Sequence, residues 1–176
     1  MPASRLLGES NFIFGLDPDN RLHDKIMELL RLREKIYFEL ALSSAAILEV
    51  ASVLRSRNEE YRIRDFYLLL DQLKTKYGNI EIIPVTIREI DYALDIMQKY
   101  KPKYGKRVSY YDCVHIATAY INGYALIVRD NTMKNILKEE SIYYIDLDKP
   151  INEIYNDLLE LSQFEQLPYG MLSSDI

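Results

Sequence analysis

Short apolar runs alternate along this chain with stretches whose apolar residues recur at helical spacing, and no other feature limits its fold as tightly. The runs Leu6-Leu7, Ile36 to Leu42, Ile80 to Val85, Ala125 to Val128 and Ile142 to Leu147 are rich in Leu or β-branched residues and read as strands. Among them, Leu22, Ile26, Leu29 and Leu30 form one helical stripe, and Phe66, Leu69, Leu70 and Leu73 a second. Ile87, Ile90, Leu94 and Met97 form a third, opened by Thr86 with Glu89 three residues on, the spacing of a capping box. Ile151, Ile154, Tyr155, Leu158 and Leu159 make the last stripe. Parallel neighbours need crossover connections, which helices supply, so the alternation predicts an α/β layer fold with a central, largely parallel sheet.

Composition narrows the class. A chain of 176 residues, 48% hydrophobic and 28% charged, is ordinary for a soluble globular domain and unlike collagen-like or disordered sequences. Its net charge of −5 means that a polyanionic partner must be met by a local basic patch rather than by the field of the whole molecule. The longest stretch without a charged side chain, Cys113 to Val128, is shorter than the roughly 18–20 apolar residues of a spanning helix. Residues Met1 to Leu7 hold no apolar h-region, so no secretory signal is expected, and the expected compartment is the cytoplasm. Cys113, the one cysteine, cannot form an intrachain disulfide or a zinc cluster, and reads as a small buried residue.

The chemistry lies in four carboxylates. Glu9 is the only charged residue between Arg5 and Asp17, Glu49 between Glu39 and Arg55, and Asp112 between Arg107 and Arg129. Asp130 follows the strand Ala125 to Val128 with only Arg129 between. A carboxylate entering a core is costly unless it is paired, protonated or bound to a metal. Sites in parallel sheets collect where strands end and helices begin, and Glu9, Glu49, Asp112 and Asp130 all fall at such places. Two carboxylates about 4 Å apart repel by roughly 4 kcal/mol at an effective dielectric near 20, so a cluster of four calls for a cation. Oxygen ligands favour Mg²⁺ or Mn²⁺ over zinc. Each acid also has a structural reading. Asp112 completes a capping box with Ser109, Asp130 caps the helix Asn131 to Glu139, Glu49 pairs with Arg55 or Arg57, and Glu9 lies in an exposed turn beside Gly8. His115, three residues after Asp112, reads as a packed or hydrogen-bonded histidine rather than a catalytic base.

Four segments, in this order, resemble the PIN domain, and most closely its VapC type of toxin–antitoxin ribonuclease. They are Leu6-Leu7-Gly8-Glu9-Ser10-Asn11, Ser43 to Val50 around Glu49, Asp112 to Ala119, and Ala125 to Asp130. The resemblance covers roughly residues 4 to 148 and implies an α/β/α sandwich, a divalent-metal pocket of Glu9, Glu49, Asp112 and Asp130 supported by Ser10 and Asn11, and hydrolysis of RNA phosphodiesters. It also implies an antitoxin protein as partner and a homodimer. Glu9 stands where the family has Asp, and Val128 where it often has Thr or Ser. These departures carry the alternative reading, a catalytically weakened PIN-like module that binds RNA or protein.

A basic run, Lys99, Lys101, Lys103, Lys106 and Arg107, is interleaved with Tyr100 and Tyr104 and ends just before Asp112. Read as a loop, it suits single-stranded or structured RNA, with cations on phosphates and rings on unpaired bases. The expected organisation is a PIN-like domain over residues 1–150. Residues 151–176 form a C-terminal helix and tail that pack on that domain or on a partner.

Overall fold

The computed structural model describes residues 4–78 and 80–163. Five strands form one parallel sheet in the order β3-β2-β1-β4-β5. They are β1 (Ser4–Gly8), β2 (Phe38–Ser43), β3 (Ile80–Ile83), β4 (Ala125–Val128) and β5 (Tyr144–Asp146). All five predicted strands are present, with ends shifted by a few residues; the segment from Ile36 starts late because Leu32–Glu34 form a 3-10 turn first. The helices are α1 (Ser10–Phe14), α2 (His23–Arg31), α3 (Ser44–Ser56), α4 (Ile63–Tyr77), α5 (Ile87–Tyr104), α6 (Tyr110–Asn122), α7 (Asn131–Glu139) and α8 (Ile151–Gln163).

Side chains alternate across a strand, and here both faces are covered. Leu6, Leu40, Leu42 and Ile127 pack with α1, α2, α4 and α8 through residues such as Phe12, Ile26, Phe66 and Leu158. Leu7, Ala41, Leu126 and Val128 enter a second core with Ala93 and Ile96 of α5, Ile116 and Ala117 of α6, and Ile136 of α7. The result is the expected α/β/α sandwich. α3 bridges the layers, since Ala45 joins the second core while Ala46, Val50 and Leu54 join the first. α8 buries Ile154, Leu158 and Leu161 in the first core, and the Ser4 hydroxyl donates to the Leu158 carbonyl oxygen at 3.1 Å. The predicted tail beyond Gln163 lies outside the described residues.

The helix starts follow from local chemistry. Thr86 with Glu89 and Ser109 with Asp112 form full capping boxes, and Ser43 and Asp130 cap α3 and α7. α6 ends on Gly123 at φ 68, a left-handed turn that costs glycine little. The basic run expected as a loop is mostly helix. α5 continues through Lys99, Lys101 and Lys103 to Tyr104, and Lys106 and Arg107 lie on the 3-10 turn that follows. Pro102 stands in the last turn of α5, where it forgoes only one backbone bond near an end that frays anyway.

Candidate functional site

Strands β1 and β4 lie side by side, yet the chain leaves β1 for β2 on one side and reaches β4 only after β3. This is the switch point of the sheet, where diverging crossover connections open a crevice at the carboxyl ends of the strands. Glu9 immediately follows β1, and Asp130 follows β4 by two residues.

Gly8 lets Glu9 enter this crevice. A Cβ at position 8 would lie 2.7 Å from Leu42 Cδ2 and 3.0 Å from Phe12 Cγ, so a side chain there would push Leu42 and Phe12 out of their packing between β1, β2 and α1. Glu9 is buried rather than in an exposed turn, and it caps α1, where its Oε2 accepts from the Asn11 N–H at 3.0 Å and from the Ser10 hydroxyl at 3.1 Å. Burial raises its pKa and nearby Glu49 raises it further, against the lowering effects of His115 and Asn11.

Glu49 reaches the same place from α3. Residues four apart share a helix face, and Ala45 packs in the core shared with α6, so Glu49 faces α6 as well. Its partner is His115 of α6 rather than Arg55 or Arg57. Glu49 Oε2 and His115 Nε2 are 2.9 Å apart, and His115 Nδ1 is 3.0 Å from Ser43 Oγ. Burial pushes the Glu49 pKa up, but the bond and charge of His115 and the Ser10 hydroxyl outweigh it, and the net shift is downward. Ligand atoms of Glu9, Glu49 and His115 all lie within 4.8 Å of one another.

Asp112 stands at the rim. It closes the capping box of α6, its Oδ2 accepting from the Ser109 N–H at 2.7 Å. Burial and the Glu49 charge raise its pKa, opposed by Ser109 and His115, so it shares a field with the cluster. Asp130 is exposed, and its Oδ1 accepts from the Met133 N–H at 2.9 Å as the cap of α7. It stands outside the group formed by Glu9, Glu49 and His115. Val128 is fully buried in the second core.

The cationic residues divide. Lys99 pairs with Glu140 at 2.7 Å, Lys103 pairs with Glu139, and Lys101 donates to the Val108 carbonyl oxygen at 2.9 Å. The acids come from the end of α7, far along the chain, which is why the run itself looked unopposed. Arg107 lies over the Tyr104 ring, and Lys106 has no ion pair among the described residues. Sequence reasoning did not single out Ser43; its signal was the helix start it caps.

Two half-buried or buried carboxyls with raised pKa values beside an ionised one form a site short of positive charge. Its converging carboxylate oxygens suit a hard divalent cation, so the residues fit the group that the resemblance implies. Among the described residues, no helix is long and apolar enough to cross a membrane.

In fold, the chain is similar to VapC20 of Mycobacterium tuberculosis, a Sarcin-Ricin loop cleaving toxin, at 13% identity and a TM-score of 0.56 over 74% of this chain and 93% of that one. It is also similar to VapBC2 from Rickettsia felis, solved bound to a DNA fragment from their promoter, at 17% identity and a TM-score of 0.57 over 75% and 92%. For FitAcB from Neisseria gonorrhoeae the values are 16%, 0.58, 82% and 99%. No curated protein matches the chain in sequence. Residues 10–139 match the PIN domain family, a span that runs from α1 to the end of α7 and takes in Glu49, Asp112, His115 and Asp130. Match and sheet together establish that this chain belongs to the PIN domain family.

Proposed function

We propose that this protein is a divalent-metal-dependent ribonuclease, acting with Mg²⁺ or Mn²⁺, and the toxin of a toxin–antitoxin pair. The observation that carries the reading is the convergence of Glu9, Glu49 and His115 within 4.8 Å at the switch point of a PIN sheet. Fold neighbours described as a Sarcin-Ricin loop cleaving toxin and as VapBC2 bound to a DNA fragment from their promoter support the same reading. By that likeness the partners are an antitoxin protein and a second copy of the chain, in the cytoplasm.

Glu9 and Glu49 would hold the cation, Asp112 would supply charge beside them, and Asp130 would lend a further carboxylate from just beyond β4. When bound, the cation eases deprotonation of the attacking water and offsets charge on the scissile phosphate. Ser10 orients Glu9 through its 3.1 Å bond, while the Asn11 backbone N–H fixes the same oxygen. Lys106 and Arg107, on the turn just before Ser109, steer the RNA backbone toward Asp112. Lys99 and Lys103 are offset by Glu140 and Glu139, so they contribute less to this attraction than Lys106 and Arg107, and Lys101 contributes while bound to the Val108 carbonyl oxygen.

The test is cleavage of RNA by purified protein with Mg²⁺ or Mn²⁺. Cleavage that EDTA abolishes and that Asp112→Asn strongly reduces supports the reading. Cleavage indifferent to both overturns it. Absence of cleavage together with tight RNA binding favours the alternative, a PIN-like binding module, for which the extra methylene of Glu9 is the specific motive.

A further inference from the structure

We propose that His115 is a positioning residue for Glu49, holding one carboxylate oxygen in place through a relay anchored at Ser43 and leaving the other oxygen to a divalent cation. The inference rests on the nuclease reading above and assigns a role to a histidine that the acid chemistry does not use.

The hydrogen bonds run in one direction. The Glu49 carboxylate can only accept, so its 2.9 Å contact requires a hydrogen on His115 Nε2. Ser43 Oγ accepts from the Ala46 N–H at 3.1 Å as the cap of α3 and still has its own hydrogen to give to His115 Nδ1 at 3.0 Å. With Nδ1 accepting, a neutral ring carries its hydrogen on Nε2 and donates it to Glu49 Oε2 at 2.9 Å. An imidazolium donates to the same oxygen. In neither form does Nε2 present a lone pair to a cation, although it lies within 4.8 Å of the ligand oxygens of Glu9 and Glu49.

The ring itself cannot drift. His115 is 1% exposed and Ser43 fully buried, and the two join the end of β2, the start of α3 and the second turn of α6. A glutamate carries three rotatable side-chain bonds, and fixing one oxygen removes most of that freedom before a cation arrives. Outer partners of this kind set the orientation of a ligand without touching the metal, and their loss typically weakens metal binding about 10–100-fold.

The experiment measures Mn²⁺ binding to the full chain by electron paramagnetic resonance, with thermal unfolding as a check on folding. His115→Leu is expected to weaken Mn²⁺ binding by roughly 10–100-fold. His115→Gln, whose amide N–H reaches where Nε2 stands, is expected to recover most of the loss. His115→Asn, too short to reach Glu49, is expected to behave like His115→Leu. Where the Leu variant fails to fold, the contrast between Gln and Asn decides. Unchanged binding in His115→Leu, or equal recovery by Asn and Gln, overturns the proposal while wild-type Mn²⁺ binding keeps the nuclease reading standing. Electron spin echo modulation from an imidazole nitrogen on bound Mn²⁺ overturns it too, since it makes His115 a ligand, and that measurement needs no variant. Wild-type protein that binds no Mn²⁺ overturns the nuclease reading and this inference together.

Discussion

Glu49 and His115 stand 66 residues apart in the chain and share a 2.9 Å hydrogen bond between α3 and α6. That bond is why Glu49 stays ionised beside Glu9, whose own carboxyl is pushed toward the protonated form by burial. One crevice therefore holds two carboxyls shifted in opposite directions.

The opposite shifts set a pH dependence. An acid with a raised folded pKa contributes stability that is fully present below its unfolded value and is lost as pH rises through the folded value. Glu9 and Asp112 therefore make the metal-free protein less stable toward neutral pH, while Glu49 works the other way and loses its contribution in acid. Thermal unfolding in EDTA and in Mg²⁺ should show a metal-induced gain in Tm that grows as pH rises, and Glu9→Gln should flatten it. A gain independent of pH would contradict this account.

Asp112→Asn separates chemistry from folding. Asparagine keeps an oxygen that can accept from the Ser109 N–H, so the cap of α6 should hold. With the poorly solvated charge removed, the metal-free Tm at neutral pH should be no lower than that of the wild type. Cleavage should fall by about 100-fold, the upper end of what losing an outer partner of a metal costs. Asp130→Asn, at an exposed cap, should cost less activity than Asp112→Asn in the same assay.

Gly8→Ala should destabilise the protein by about 1–3 kcal/mol, the usual cost of forcing a methyl into a packed core. The added Cβ meets Leu42 Cδ2 at 2.7 Å and Phe12 Cγ at 3.0 Å, both in buried side chains. Because Glu9 follows directly, Mn²⁺ affinity should drop with it, which denaturant melts and metal titration of the same sample can compare.

Glu140 anchors the α5 face through the Tyr100 hydroxyl at 2.6 Å, Lys99 at 2.7 Å and the Tyr92 hydroxyl at 3.4 Å. Glu140→Ala strips these donors of their acceptor and should destabilise by about 1–3 kcal/mol in chemical denaturation. It also frees Lys99, so RNA affinity at low salt should rise slightly, readable by filter binding.

Strand runs, helical stripes and caps were legible in the chain because each depends on neighbours a few residues away. Thr86 with Glu89, Ser109 with Asp112, and the lone acids in apolar runs needed no tertiary knowledge. Partnership over long separations was another matter. The chain around Glu49 offers only Arg55 and Arg57 as nearby cations, but Ala45 turns that face toward α6, and the partner is His115 instead. The basic run read as an open loop, yet α7 brings Glu139 and Glu140 onto Lys103 and Lys99. Both outcomes follow from the strand order, which sends β4 to the far side of β1 and so decides which helices become neighbours. Local hydrogen bonding and hydrophobic period wrote the elements into the sequence, whereas the partners of each buried charge were settled only by how the sheet was assembled.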